Sequence, residues 1–298
     1  MSSHKGLILI VLTAIISGVS IFINSFAVKM GDSSVFTFSK NAVVAFFLFC
    51  IIMAYGRLSQ LRSLSRKQWL SLSLIGFVGG SIPFLLFFRG LQLTTGSTSA
   101  FLHKTLFLYA AIFALIFLKE RLTKGLFIGA VLLLIGNYLL LLPDFTFSYG
   151  HVLVIIAVLF WAAENTYSKH ILREVPGTIV AFGRMFFGSL FILVFLFATG
   201  KGPLLLDITL PQLSWILLTS LLLLLYVLTF YNGLESVKVS TAACILSLGS
   251  PITTLLSWIF LGQSASIVHV VALLTIAGGV AFILAMRKPF SLPFRQAS

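Results

Sequence analysis

Of 298 residues, 59% are hydrophobic and only 9% charged, at a mean hydropathy of +1.12; soluble chains carry about 25% charged residues. A water-soluble domain of this length cannot hide so much apolar surface, so the composition excludes one and marks an integral membrane protein. The net charge of +13 first suggests a nucleic-acid partner, but the placement of the charge points elsewhere.

Ten apolar runs of about 20 residues, the length that crosses a bilayer as a helix, follow one another. They are 6–28, 34–55, 68–93, 96–118, 124–142, 150–172, 177–199, 211–234, 239–261 and 265–286. The alternating stretches of about ten residues that build membrane barrels do not fit this pattern. The opening MSSHKGLILIVLTAIISGVSIFI is apolar for too long to be a signal peptide and lacks a small-residue cleavage site, so it reads as the first span. Cys50 and Cys244 sit inside apolar runs and show neither disulfide nor metal-ligand spacing.

An even number of spans puts both ends on one side. Of the 20 Lys and Arg, 14 fall on that side: Lys5, Arg57, Arg62, Arg66, Lys67, Lys119, Arg121, Lys124, Lys169, Arg173, Lys238, Arg287, Lys288 and Arg295. Lys29 and Lys201 fall on the other, and Lys40, Arg89, Lys104 and Arg184 lie within spans. Such asymmetry over short loops places both termini in the cytoplasm, in a multi-pass protein of the cell (inner) membrane. The basic loops then face anionic lipid and not nucleic acid.

The second half repeats the first. At an offset of 144 residues, GLILIVLTAIISGVSIFINSFAVK lies over GHVLVIIAVLFWAAENTYSKHILR, and Lys40 falls on Arg184. At an offset of 143, FFRGLQLTTGSTSA lies over FYNGLESVKVSTAA, and Gly136 meets Gly279. Five spans per repeat is an odd number, so the halves cross the membrane in opposite senses. Inverted repeats of this kind enclose a site near mid-membrane where the halves meet.

On these residues the chain resembles the EamA-like family of the drug/metabolite transporter superfamily over nearly its whole length. The resemblance rests on the repeat, on Lys40 and Arg184 early in the second span of each half, and on the GL…S-T/S-A segment. It rests also on LKERLTKGLFIGAVLLLIGNYLLLL, similar to the family's ERLT…G…L…G ending. It implies an all-α integral membrane fold of ten transmembrane helices in two inverted five-helix repeats, 1–145 and 146–288, with a cytoplasmic tail at 289–298. It implies a carrier of small organic metabolites, often an exporter, without an ATPase motor. The chain departs from the family's pattern at Leu108, opposite Pro251; at Gln263, opposite the glutamate of KERLT; and at His103 and Lys104, where small or apolar residues are usual.

An ionised side chain at mid-bilayer costs about 2.5–3.5 kcal/mol on insertion scales and so normally faces a cavity or a partner. At about 1.5 Å per residue, Lys40 lies about 9 Å deep, Lys104 about 12 Å and Arg89 about 6 Å, all in the outer half. Glu164 and Arg184 lie at matching depth on consecutive spans and pair, either as a salt bridge between helices or as a carboxyl that titrates and couples transport to protons. For Lys40 the residue matching Glu164 is Ser20, which leaves either a structural cation bonded to backbone carbonyls or a substrate contact. Arg89 either snorkels to the headgroups or binds substrate.

Lys104 is the foremost candidate contact for substrate. Ser97, Phe101, Lys104, Leu108 and Ala111 share one helix face, and Ser240, Cys244, Ser247, Pro251 and Thr254 share its equivalent. His103 points about 100° away and serves either helix packing or the site. Trp161, Glu164, Asn165 and Ser168 form another stripe, with Ser17, Ser20 and Asn24 as counterparts; Trp161 packs or stacks. Pro83 and Pro251 interrupt helical hydrogen-bond ladders, leaving plain kinks or freed carbonyls able to bind an amine.

Four cations against one carboxylate within the spans favour a secondary active transporter, an exporter or exchanger, of a small anionic or zwitterionic organic metabolite. Alternating access around a central basic cavity is its expected mechanism. The alternative is an exporter of neutral or aromatic amino acids or drug-like compounds whose basic residues are structural. An enzyme of lipid-linked substrates needs a concentrated acid/base or metal cluster that one buried glutamate and scattered histidines do not supply. A membrane scaffold would not need polar stripes in an inverted repeat. The expected partners are a small-molecule metabolite, the lipid bilayer and protons, with no cofactor, no metal and no nucleic acid, in a monomer or homodimer.

Overall fold

The computed structural model describes residues 2–93, 101–121, 123–142, 148–262 and 266–286, with the backbone alone of Leu91 and Gln92. Ser97, Gln263, the junction of the repeats at 145/146 and the tail 289–298, together with Arg287 and Lys288, lie outside the described residues.

Nine helices among the described residues are long and apolar enough to span a bilayer, and a tenth is shorter. In chain order they are α1 Ser3–Met30, α2 Ser33–Ala54, α3 Arg66–Gly90, the shorter α4 Phe101–Phe117, α5 Lys124–Leu141, α6 Tyr149–Ile171, α7 Gly177–Ala198, α8 Leu210–Leu234, α9 Val239–Leu261 and α10 Ile267–Ala285. The expected spans recur within a few residues at each end. Side chains satisfy the orphan amides at the starts of several helices. Asp32 accepts from Ser34 and Val35 at 2.8 and 3.2 Å before α2. Reciprocal capping boxes open α3 (Ser65–Gln68), α6 (Ser148–His151), α8 (Thr209–Gln212) and α10 (Ser266–His269).

The packing obeys the repeat. Helix α1 packs on α8 as α6 packs on α3, α1 meets α9 as α6 meets α4, and α2 meets α8 as α7 meets α3. The pairs α2–α7 and α5–α10 map onto themselves, so a pseudo-twofold axis runs between their members. Without a hydrophobic drive between helices in lipid, close backbone approach through small residues holds such pairs together. A Cβ on Gly6 would stand 3.0 Å from the Gly233 carbonyl of α8, and in the other half a Cβ on Gly90 would stand 2.9 Å from the Gly150 carbonyl. These two crossings are equivalents in the repeat.

Among the described residues, three helices are interrupted within their length. Helix α3 carries a π-helical turn at Gly76–Ser81, just before Pro83. Helix α4 breaks at Thr105, whose hydroxyl bonds back to the Leu102 carbonyl at 2.6 Å. Helix α9 breaks at Ser247 and Leu248, between segments Val239–Leu246 and Gly249–Leu261. Thr105 and Leu248 are repeat equivalents, so the fourth span of each half breaks at one level.

Gly233→Leu should force α1 and α8 apart at a cost of about 1–3 kcal/mol, lowering the thermal midpoint of detergent-purified protein; an unchanged midpoint would show the crossing to be loose. A second expectation concerns the end away from the basic loops, where Asp32 accepts from Lys201 at 2.7 Å. Burial raises the Asp32 pKa, but the hydrogen bonds from Lys201, Val35 and Ser34 together outweigh it and hold the carboxyl below its ordinary 3.8. A group with a depressed folded pKa contributes stability above its unfolded pKa and loses it as pH falls through the folded value. Asp32→Asn should therefore shrink the loss of stability on acidification below about pH 4, by no more than about 1 kcal/mol for so exposed a pair. Superimposable acid profiles would remove the ion pair from the account.

Candidate functional site

Pro83 has no N–H to give the carbonyl four residues back, that of Gly79. Inside a bilayer such a carbonyl needs another donor. Two side chains supply it: the Trp161 indole N–H of α6 and the Arg184 guanidinium of α7, each at 3.1 Å. The neighbouring carbonyl of Gly80 takes the Asn41 amide of α2 at 2.8 Å. The π-turn of α3 is thus a knot to which α2, α6 and α7 are tied. The freed carbonyl at Pro83 is taken by the protein's own donors, an arrangement that accords with the plain kink of the two readings. At Pro251 the freed Ser247 carbonyl accepts from the Ser250 N–H at 3.1 Å, with the same consequence.

Beneath the turn lies Glu164, 1% exposed. Gly79 carries no side chain because its Cβ would collide with the Glu164 Cγ. Glu164 Oε1 accepts from Tyr231 of α8 at 2.6 Å and from Ser168 one turn along α6. Glu164 Oε2 lies 4.0 Å from Arg184 Nη2 and accepts no hydrogen bond among the described residues, nor does Arg184 Nε donate one. The expected pairing of Glu164 with Arg184 is therefore present, as a long ion pair braced by two hydroxyls.

The first half holds the counterpart. Lys40 Nζ donates to Asn24 Oδ1 at 2.7 Å, and the Asn24 amide donates to the Ser20 hydroxyl and carbonyl at 2.9 and 2.7 Å. Lys40, Asn24 and Ser20 are the repeat equivalents of Arg184, Ser168 and Glu164. Both halves keep the cation, while its partner changes from carboxylate to amide. The Lys40 Nζ also stands 4.9 Å from the centroid of Phe36, and it bonds a side chain in place of the expected backbone carbonyls. Phe36 lines a recess of about 120 Å³ with Met30, Asp32, Asp207, Gln212 and Ile216, at the end away from the basic loops.

Lys104 is 8% exposed, and among the described residues its Nζ meets neither a carboxylate nor a hydrogen-bond acceptor. It lies against the crossing of α1 and α9: a Cβ on Gly249 would stand 3.3 Å from Lys104 Nζ, 3.3 Å from the Gly18 nitrogen and 3.4 Å from the Ala14 carbonyl. His103 turns to a different surface. Its ring centroid lies 5.0 Å from Phe87 and 5.4 Å from Trp161, and Phe84 stands 5.3 Å from Trp161 on that same aromatic wall. Asn165 and Ser247 are buried. Arg89 is exposed, one residue before the end of α3, and does not join the buried set.

Several residues of this network escape sequence reasoning. Tyr231 is legible only as the hydroxylated equivalent of Phe88 in the other repeat, and Asn41 as the residue after Lys40. Glu120 follows α4 through Lys119, whose φ of 54° turns the chain back. Its carboxylate accepts from the Val239 and Ser240 amides at 2.9 and 3.4 Å and from the Ser240 hydroxyl, clasping the start of α9 at the basic end. The ERLT motif signals Glu120, though not its partner.

The comparisons with known proteins agree with this architecture. An uncharacterized transporter of Bacillus subtilis (strain 168), YetK, is 26% identical over 263 residues, covering 83% of this chain and 76% of its own. An uncharacterized transporter of Clostridium kluyveri is 22% identical over 296 residues, covering 92% and 91%. A solved crystal structure at 18% identity superposes with a TM-score of 0.77 over 96% of this chain and 98% of its own, which shows the fold. The profile of the EamA-like transporter family matches residues 4–142 and 148–285, one match for each five-helix half. The chain belongs to the EamA-like transporter family.

Proposed function

We propose that this transporter is a secondary carrier, an exporter or exchanger, of a small anionic or zwitterionic organic metabolite. The two halves move against each other to open the site to either face, with both termini cytoplasmic. The observation that carries the reading is Lys104, a buried cation without a carboxylate or acceptor among the described residues. Arg184 has Glu164, and Lys40 has only a neutral amide. A surplus of positive charge in a low-dielectric interior attracts an anion and repels a bare cation. Glu164 is the proton-coupling group on this reading, since loss of its charge would release Arg184 from its ion pair.

A second reading, export of neutral or aromatic compounds with structural basic residues, is favoured by one observation. His103, Phe87, Phe84 and Trp161 form a wall of rings on which a planar solute can stack.

In proteoliposome counterflow, Lys104→Gln should lower transport of anionic metabolites about tenfold or more, the loss that follows deletion of a charged hydrogen-bond donor. Unchanged transport of every anion carried by the wild type would take Lys104 out of the site. Glu164→Gln should abolish stimulation by a proton gradient while leaving solute exchange in place. Stimulation equal to wild type would leave Glu164 a structural group only.

A further inference from the structure

Glu120 grips a piece of α9 that is set off from the rest of that helix. The segment Val239–Leu246 is buried along its whole length and packs against α1, α4 and α6. Beyond it the backbone stays helical, but the amides reach only the third residue back. Ser247 bonds the Cys244 carbonyl at 3.1 Å, Leu248 that of Ile245 at 3.0 Å and Ser250 that of Ser247 at 3.1 Å. Pro251 has no amide with which to restore the wider ladder. A tightened turn inside a helix is a common hinge.

The other end of the segment is fastened by charge. Lys238, just before it, gives no side-chain cap, and Glu120 of the first half supplies one. Two neighbouring helix ends are completed in the same borrowed way. Lys169 of α6 donates to the last carbonyls of α8, that of Leu234 and, at 3.0 Å, that of Glu235. The Glu235 carboxylate accepts from the Gly177 amide that opens α7, at 2.7 Å. The Lys169 ammonium stands in the field of Glu120, Glu235 and Arg173, so one charged cluster joins the halves at the basic end. The repeat equivalents at the far end serve their own helices: Ser25, opposite Lys169, bonds the Phe22 carbonyl, and Asp32, opposite Pro176, caps α2. The ties between elements there, Lys201 to Asp32 and Gln212 to the Met30 carbonyl, are partly exposed and border the recess.

We propose that Val239–Leu246 is the inner gate of the carrier, hinged at Ser247 and Leu248 and latched by Glu120, with Lys169 and Glu235 fixing the frame it closes against. The proposal rests on the carrier reading above and assigns the opening at the basic end to particular atoms. The latch lies where a helix reaches the aqueous boundary, so on release water takes over the α9 amides and the carboxylate. No such exchange is open to the knot at Gly79 within the bilayer. Release turns the face that Glu120 holds toward that water. Cys244, one turn beyond Ser240 on this face, is 0% exposed in the latched form. The recess of about 120 Å³ lies at the opposite end, as a carrier that opens one end at a time requires.

The two native cysteines, Cys50 and Cys244, read the gate in the full-length protein in detergent. A water-soluble maleimide labels each at the rate at which its thiol becomes accessible. Cys244 should label slowly in wild type and about tenfold or more faster in Glu120→Ala, as follows from loss of hydrogen bonds to a charged group. Ser240→Ala, which takes the hydroxyl from the latch and leaves the amides, should speed it several-fold. Cys50, on α2 and outside the gate, should label at an unchanged rate in both variants. An unchanged Cys244 rate in Glu120→Ala overturns the gate. So does a rise at Cys50 equal to the rise at Cys244, which is a loosening of the whole fold. Should Glu120→Ala fail to purify, an unchanged Cys244 rate in Ser240→Ala is by itself sufficient to overturn the gate. Counterflow of anionic metabolites in the same preparation separates the two failures: a gate that fails while counterflow persists leaves the carrier reading standing, and absence of counterflow removes both.

Discussion

A helix in hydrocarbon has no water to satisfy a carbonyl that loses its partner, and the arrangement of the second half follows from that constraint at Gly79. Pro83 takes the partner away, the chain widens into a π-helical turn, and three other helices send polar side chains to it. Trp161 is fixed by this bond, and the aromatic wall takes its orientation from Trp161. Arg184 is fixed by it too, and Glu164 is placed by Arg184, Tyr231 and Ser168. Interhelical hydrogen bonds in membranes average only about 0.6 kcal/mol, so the value of the knot lies less in stability than in setting where each side chain stands.

The pseudo-twofold axis relates backbones more faithfully than chemistry. The glycine crossings and the breaks in α4 and α9 are reproduced in both halves. The polar clusters occupy equivalent sites, yet one is a lysine–amide–hydroxyl chain and the other an arginine–carboxylate pair. The second-half cation Arg184 also bonds a π-turn carbonyl, whereas Lys40 bonds Asn24, and among the described residues α4 carries a cation beside its break where α9 has Ser247 in the equivalent place. The transporter is therefore one frame furnished twice with different groups.

Run length, charge placement and internal repetition make the spans, their number and the relation of the halves legible in the amino-acid sequence, because each follows from the bilayer as a solvent. Lys104, Glu164 and Arg184 are legible as buried charges for the same reason. Their partners are not. Asn24 reaches Lys40 across two helices, and position in a span fixes a residue's depth without fixing its rotation about the helix. Pro83 announces a freed carbonyl at Gly79, but which donor arrives depends on how α6 and α7 pack against α3. The shielding of Arg89 from the interior set likewise depends on the final turn of α3, where one residue separates a buried face from an exposed one.

Glu120 bears on how firmly the basic end of the molecule is held. Its carboxylate spans three donors at the start of α9, so parting the ends of α4 and α9 at the basic face strips a charged group of its ligands all together and leaves a helix start bare. In the duplicated half the matching residue is the uncharged Gln263. The carboxylate clasp at the basic end thus has no charged counterpart at the matching position of the other half's sequence.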